Sequence, residues 1–311
     1  MQKKFEKVFK IKEELMLPGG RSCIGCSGGI LTRMAFKAVG RDTVISVGSC
    51  GTNTTGMFPI GAMSTFPVPV GLLGVTGAAL SGMEIAAKIK GREEASILAI
   101  CGDGDVGDIG FGNVSACFER GHKVILVLQD NQGYAATGGQ RSGTTAFKAW
   151  TRSTPEGKSR PPKYLPFIML AHDAPYVATC SVAYPEDIFR KVKKATEKEN
   201  QPAFIHCITP CPTNWKNEPS TSVEVARQAV TCGIWPLWEY ERGTFTRTVL
   251  SEKKQSSVED WLRLQGRFKH VTEKDIEDIK VYIRELNEKI DKYVYVYSKD
   301  FLSIGKVKTV F

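Results

Sequence analysis

Two oxygen-rich turns each follow an apolar run. Gly102-Asp103-Gly104-Asp105 closes Ser96–Cys101 (SILAIC), and Asp130-Asn131-Gln132-Gly133 closes Lys123–Gln129 (KVILVLQ). Asp103 offers a carboxylate, Asn131 an amide oxygen, and the Gly133 carbonyl can point the same way. Three oxygens converging on one spot suit a hard octahedral cation, Mg²⁺, that keeps the rest of its shell for phosphate. No Walker lysine and no Rossmann fingerprint accompanies them, so the chemistry is that of a Mg-diphosphate site. A second set is sulfur: Cys23 and Cys26 in a glycine-rich CxxC, Cys50 in GSCGTNTTG, and Cys211 in TPCPTNW. Four thiolates in turns suit a zinc ion or an iron–sulfur cluster. A redox dithiol is the remaining alternative. It is disfavoured because such a CxxC usually opens a helix behind a strand, whereas this one precedes the first strand. Cys101, Cys117, Cys180, Cys207 and Cys232 lie inside apolar segments and read as ordinary buried thiols.

The elements needed to present these turns follow from periodicity. Ser96–Cys101 and Lys123–Gln129 are long enough for strands and too short for helices, and Phe111–Arg120 between them has helical spacing. Strand–helix–strand with apolar strands means parallel strands, with both turns at the carboxyl edge of one sheet, where open α/β sheets bind ligands. The glycines flanking Asp103 are expected to allow a tight turn and to leave room for a bulky anion. Further strands are predicted at Thr43–Val47, Tyr176–Val182 and Ala203–Ile208. Helices are predicted at Gly77–Lys90, Pro185–Asn200 and Thr221–Cys232, with a helical turn or two in Pro162–His172. Beyond Arg242 the sheet pattern ends, and Ser257–Gln265 and Thr272–Val294 read as helices of a tail able to wrap a partner. The expected fold is α/β, a mostly parallel sheet flanked by helices, with residues 1–240 as the cofactor domain and 241–311 as a helical C-terminal extension. His122, His172, His206 and His270 have no ligand spacing and read as structural or solvent-facing. Arg141, the first cation after the second turn, either meets substrate or caps its loop.

Composition narrows the class. The 311 residues carry a formal net charge of +9, with basic residues scattered among acidic ones, which disfavours a nucleic-acid partner. Nine cysteines behind a charged N-terminus with no apolar signal core argue against a disulfide framework and for a cytoplasmic protein. The most apolar stretch, Phe66–Leu80, is broken by Pro67, Pro69 and glycines, so no membrane span is expected.

GDG followed after 26 residues by Asn131 matches the thiamine diphosphate signature. With RSCIGC, GDGDVGDIG, QDNQGYAATGGQRSGTTAFKAWT, PCPTNW, CGIWPLWEYE and LQGRFKH in order, nearly the whole chain resembles the thiamine-diphosphate-binding β subunit of 2-oxoacid:ferredoxin oxidoreductases, the pyruvate type above all. The resemblance implies a [4Fe–4S] cluster on Cys23, Cys26, Cys50 and Cys211, and Mg²⁺ on Asp103, Asn131 and the Gly133 carbonyl. Gly102, Gly104, Asp105, Tyr134 and Cys50 would join the cofactor site, and Ala136, Thr137 and Arg141 would face substrate. It implies oxidative decarboxylation of a small 2-oxoacid, with electrons leaving through the cluster to ferredoxin and coenzyme A as a possible acceptor. The glutamate that thiamine enzymes need at the aminopyrimidine ring is not found here. A hetero-oligomer is therefore implied, with a pyrimidine-domain subunit and a ferredoxin-like subunit as partners. A non-redox thiamine-dependent decarboxylase or synthase with structural zinc is the rival. Three departures from the pyruvate type stand out: Phe66–Gly74 in place of a run ending Phe-Glu-Asn, Ala136 in place of an asparagine, and Thr52 in place of an acidic residue. The lost amide at Ala136 removes a hydrogen bond worth roughly 1–3 kcal/mol if its partner stays buried, which makes oxalate a candidate beside pyruvate.

Overall fold

The computed structural model describes residues 13–17, 22–47, 72–248 and 255–297. Among them, strands β1 (Thr43–Val47), β2 (Ser96–Gly102), β3 (Ile125–Asp130), β4 (Tyr176–Ser181), β5 (Ala203–Ile208), β6 (Trp238–Glu241) and β7 (Thr244–Arg247) form one sheet in the order β1-β2-β3-β5-β4-β6-β7. The first five are parallel, and β6 and β7 add an antiparallel edge. Every residue of β2 and β3 is buried, as parallel strands covered on both faces require.

Alternation sorts the side chains between two cores. On one face Leu98, Ile100, Ile125 and Val127 meet Leu31, Ala35 and Phe36 of α1 (Gly28–Val39). On the other, Ile97, Ala99, Leu126 and Leu128 meet Leu80 of α2 (Thr76–Ile89) and Val114, Cys117 and Phe118 of α3 (Phe111–Glu119). The remaining helices are α4 (Leu165–Leu170), α5 (Pro185–Ala195), α6 (Pro212–Trp215), α7 (Ser222–Thr231), α8 (Val258–Arg263) and α9 (Glu273–Val296). Among the described residues no helix is long and apolar enough to cross a membrane.

Four expectations need correction. Helix α1 was not anticipated: it begins on Gly28-Gly29, which mask its start, yet Leu31, Ala35, Ala38 and Val39 carry its buried stripe. The sheet does not end at Arg242, because β6 and β7 pair Trp238 to Arg247 and Glu241 to Thr244; residue 240, the expected domain boundary, thus lies within β6. The C-terminal helices, read as a tail able to wrap a partner, form as expected but pack on this chain's own core. Leu286 and Ile290 of α9 enter the core beneath the sheet, and Trp261, Ile279 and Ile283 join a third cluster around Trp215 and Trp235. Finally, Cys232 is only half-buried.

Because α9 is packed and not draped, Ile290→Ala should destabilise the folded chain by about 2–5 kcal/mol. Urea unfolding followed by circular dichroism checks this; a tail held only by a partner would give no change.

Candidate functional site

Parallel pairing places Gly102 beside Gln129, so the residues that follow, Asp103 and Asn131, emerge at the same sheet edge. The connection after Gly102 is not the expected tight turn. The chain passes directly into a π-helical turn, Asp105–Ile109, and Gly104 keeps an ordinary helical backbone at φ −67°. Gly104 is needed for space: a Cβ there would sit 2.3 Å from the Tyr134 ring. Gly133 is similarly crowded, with Asn214 Nδ2 2.5 Å from where its Cβ would be.

Asp103 is buried, and its Oδ1 has no hydrogen-bond partner; the same holds for Asn131 Oδ1. The Gly133 carbonyl accepts from Ala135 N at 3.1 Å. The other Asp103 oxygen takes part in a network absent from the sequence reading. Thr144 Oγ1 lies 2.9 Å from Asp103 Oδ2 and 2.8 Å from Asp130 Oδ1. Asp130 Oδ1 also accepts from Gln132 N at 2.8 Å, and its Oδ2 lies 2.7 Å from His206 Nε2. One hydroxyl is thus shared between two buried carboxylates. Burial, reinforced by the Asp130 charge, pushes the Asp103 carboxyl up to about 8. The Thr144 loop is braced by Lys158, whose Nζ donates to the carbonyls of Gly143 and Thr145, both at 2.7 Å. Burial, with help from Arg141, lowers that ammonium to about 8.

Other predicted site residues play supporting parts. Asp105 has both oxygens engaged, by Gly74 N at 2.8 Å and Thr76 Oγ1 at 2.5 Å, and so anchors the start of α2. Tyr134 donates between the Gly104 carbonyl and Asp108 Oδ2, at 3.1 and 3.2 Å. Ala136 and Thr137 are exposed on a loop closed by the Tyr134–Gln140 bridge, and Thr137 Oγ1 donates to Gln140 Oε1 at 2.6 Å. Arg141 is exposed, and its backbone N donates to Ser153 Oγ at 2.9 Å. Two histidines are tethered away from the turns, His122 to Glu84 at 3.1 Å and His172 to Ser115 at 2.8 Å, whereas His206 joins the site through Asp130.

Three of the four predicted sulfur ligands share a cavity, though among the described residues no three Cys, His, Asp or Glu side chains are placed to hold a single metal ion. Cys23, Cys26 and Cys211 line one cavity of about 110 Å³ whose wall also includes Asn131, Ala136 and Thr209. Thr209 Oγ1 is buried there without a hydrogen-bond partner. Ser27 Oγ ties the CxxC turn to the Pro210 carbonyl at 3.0 Å. Burial, with neighbouring Cys26 and Cys23, pushes the Cys211 thiol up to about 11. The CxxC precedes the first strand as expected, although helix α1 follows it directly, and burial raises Cys26. A redox dithiol needs the reverse. Cys50, Thr52 and residues 66–71 lie outside the described residues.

The family model for the C-terminal TPP-binding domain of thiamine pyrophosphate enzymes matches residues 24–207. The pyruvate synthase subunit PorB of Methanothermobacter thermautotrophicus is 40% identical over 278 residues, 88% of this chain and 96% of that protein. The chain belongs to the thiamine-diphosphate-binding β subunits of 2-oxoacid:ferredoxin oxidoreductases. This β subunit is also 38% identical to the ketoisovalerate oxidoreductase subunit VorB of Pyrococcus horikoshii, over 92% of its own length and 95% of the relative's. The fold of the β subunit is shared with the solved 2-oxoglutarate:ferredoxin oxidoreductase of Magnetococcus marinus, at a TM-score of 0.57 and 24% identity over 70% of this chain and 80% of that one. Both relatives, PorB and VorB, are named as subunits.

A carboxyl kept protonated by folding loses ground as pH rises. From about pH 4, where an unfolded aspartate ionises, to about pH 8, the unfolded chain gains charge that folded Asp103 does not. The melting temperature of the metal-free protein should therefore fall across that window. Asp103→Asn should flatten the fall, and a wild-type profile as flat as the variant's would contradict the assignment.

Proposed function

We propose that this β subunit holds Mg²⁺–thiamine diphosphate and a [4Fe–4S] cluster, and that within its complex it oxidatively decarboxylates a small 2-oxoacid. The observation that carries the reading is the pair of orphaned buried oxygens, Asp103 Oδ1 and Asn131 Oδ1, at adjacent strand tips. A buried acceptor without a donor is costly, and a cation with two vacant acceptors beside it repays both. Asp103, Asn131 and the Gly133 carbonyl would take the metal. Bound thiamine diphosphate supplies the nucleophilic carbon and the electron sink for loss of CO₂.

The chain's own residues prepare that position. Thr144 and Asp130 hold Asp103 in one orientation, and Tyr134 fixes the π-helical turn against the second loop. The donor set at the other side of Asn131 supports a cluster. Three thiols, a partnerless Thr209 hydroxyl and a cavity of about 110 Å³ match a compact anionic group of sulfur and iron, with Cys50 as the fourth ligand. When bound, the cluster would carry electrons one at a time toward ferredoxin. The missing aminopyrimidine glutamate and the electron acceptor would come from partner subunits. Pyruvate is the proposed substrate. Exposed Ala136 beside the cavity supports testing oxalate and 2-oxoisovalerate with it.

Two measurements test this. Anaerobically purified complex should contain iron and acid-labile sulfide, and Cys211→Ser should lose most of both; zinc in their place would favour the non-redox alternative. Asn131→Ala should weaken Mg²⁺-dependent thiamine diphosphate binding by on the order of 10-fold or more, read by calorimetry. Viologen reduction with pyruvate, 2-oxoisovalerate and oxalate, each with and without coenzyme A, then names the substrate. Reduction with none of them would refute the proposed activity.

A further inference from the structure

Arg267 is 1% exposed, and both of its Nη atoms are buried without a hydrogen-bond partner. Its Nε donates to Gln265 Oε1 at 3.0 Å. What it does meet is aromatic: the guanidinium carbon stands 3.7 Å over the Trp215 ring and 5.0 Å from that of Phe268. Ring faces attract a cation but do not neutralise it. An arginine does not discard its proton in a protein, so a charge in such a place demands a negative partner. Two anionisable groups face it electrostatically, Asp130 and Cys211. Asp130 is already held by Gln132, Thr144 and His206. Cys211 is the N-cap of α6, and Trp215 closes that same turn with its N donating to the Cys211 carbonyl at 2.8 Å. The cation therefore lies against the short helix that presents the third thiol.

We propose that Arg267 is the fixed counter-charge of the metal–sulfur group at Cys211 and raises the reduction potential of the cluster there. This rests on the cluster reading above. A cluster on four thiolates is a net anion, and reduction adds one electron and one further negative charge. A cation buried in low dielectric, unscreened by salt, stabilises the reduced state more than the oxidised one. Among the described residues, the positive charges of α1, Arg33 and Lys37, point to Glu14 at 2.5 and 3.5 Å. Arg267 is a positioning charge acting through Cys211.

The test is the potential itself. In the anaerobic complex, cluster reduction is followed by electron paramagnetic resonance against mediators, with dithionite supplying the electron. Arg267→Met and the milder Arg267→Gln should each shift the potential to more negative values, while Arg267→Lys keeps it near wild type. Lys269→Gln, which removes an exposed charge two residues away, should leave it unmoved. Wild-type iron and sulfide content with an unshifted potential in the Gln variant overturns the proposal and leaves the cluster reading standing. An equal shift from Lys269→Gln overturns it too. Zinc without sulfide in the wild-type complex defeats the cluster reading itself.

Discussion

Two buried carboxylates sharing one hydroxyl set the terms for the rest of the molecule. Asp103 and Asp130 both lean on Thr144 Oγ1. Two hydrogen-bond lengths apart, at an effective dielectric of ~20, their repulsion when both are ionised is about 3 kcal/mol. The empty chain can relieve this with a proton. A divalent cation on the outer oxygen of Asp103 relieves it better, turning repulsion into attraction for both. The site is thus a standing demand for positive charge, held in place by a sheet whose central strands are buried throughout and cannot slide to soften it. The Lys158 brace adds to this rigidity from behind, while its ammonium stays on the carbonyls of Gly143 and Thr145 and leaves the carboxylates unneutralised.

How much of this is legible in the sequence depends on how local each cause is. The apolar β-branched runs of β2 and β3 declare buried parallel strands, and the two ligand-bearing turns sit where those runs stop. Asp103 and Asn131 are found by that logic alone. Thr144 and His206 are not, because they act across 41 and 76 residues on side chains that the strand tips merely bring near. Nothing in GTT or AFIHCI announces either contact. The antiparallel edge was hidden for a different reason. Trp238-Glu-Tyr-Glu looks too charged for a sheet, but Glu239 is held by Arg190 at 2.6 Å and Glu241 by Lys194 at 2.8 Å, both from α5. These charges are satisfied by a neighbour that periodicity cannot see. The glycines around Asp103 were read as turn formers, whereas what Gly104 provides is contact distance to Tyr134.

The metal turn and the thiol turn are mechanically one piece. The Asn131 carbonyl accepts from Trp215 Nε1 at 2.7 Å and from Asn214 Nδ2 at 3.3 Å, while the Asn131 side chain faces the cation position. Asn214 and Trp215 lie on α6, whose first residue follows Cys211. A buried indole N–H must find an acceptor, and here the acceptor is the backbone of a proposed metal ligand. The two turns therefore cannot drift apart without breaking these buried hydrogen bonds. The third core cluster, with Trp261 and Phe268 packed around Trp215, is what the C-terminal helices contribute. Their packing presses the shared α6 turn into place, and the long α9 helix, remote in sequence from both turns, thereby helps to hold the gap between them.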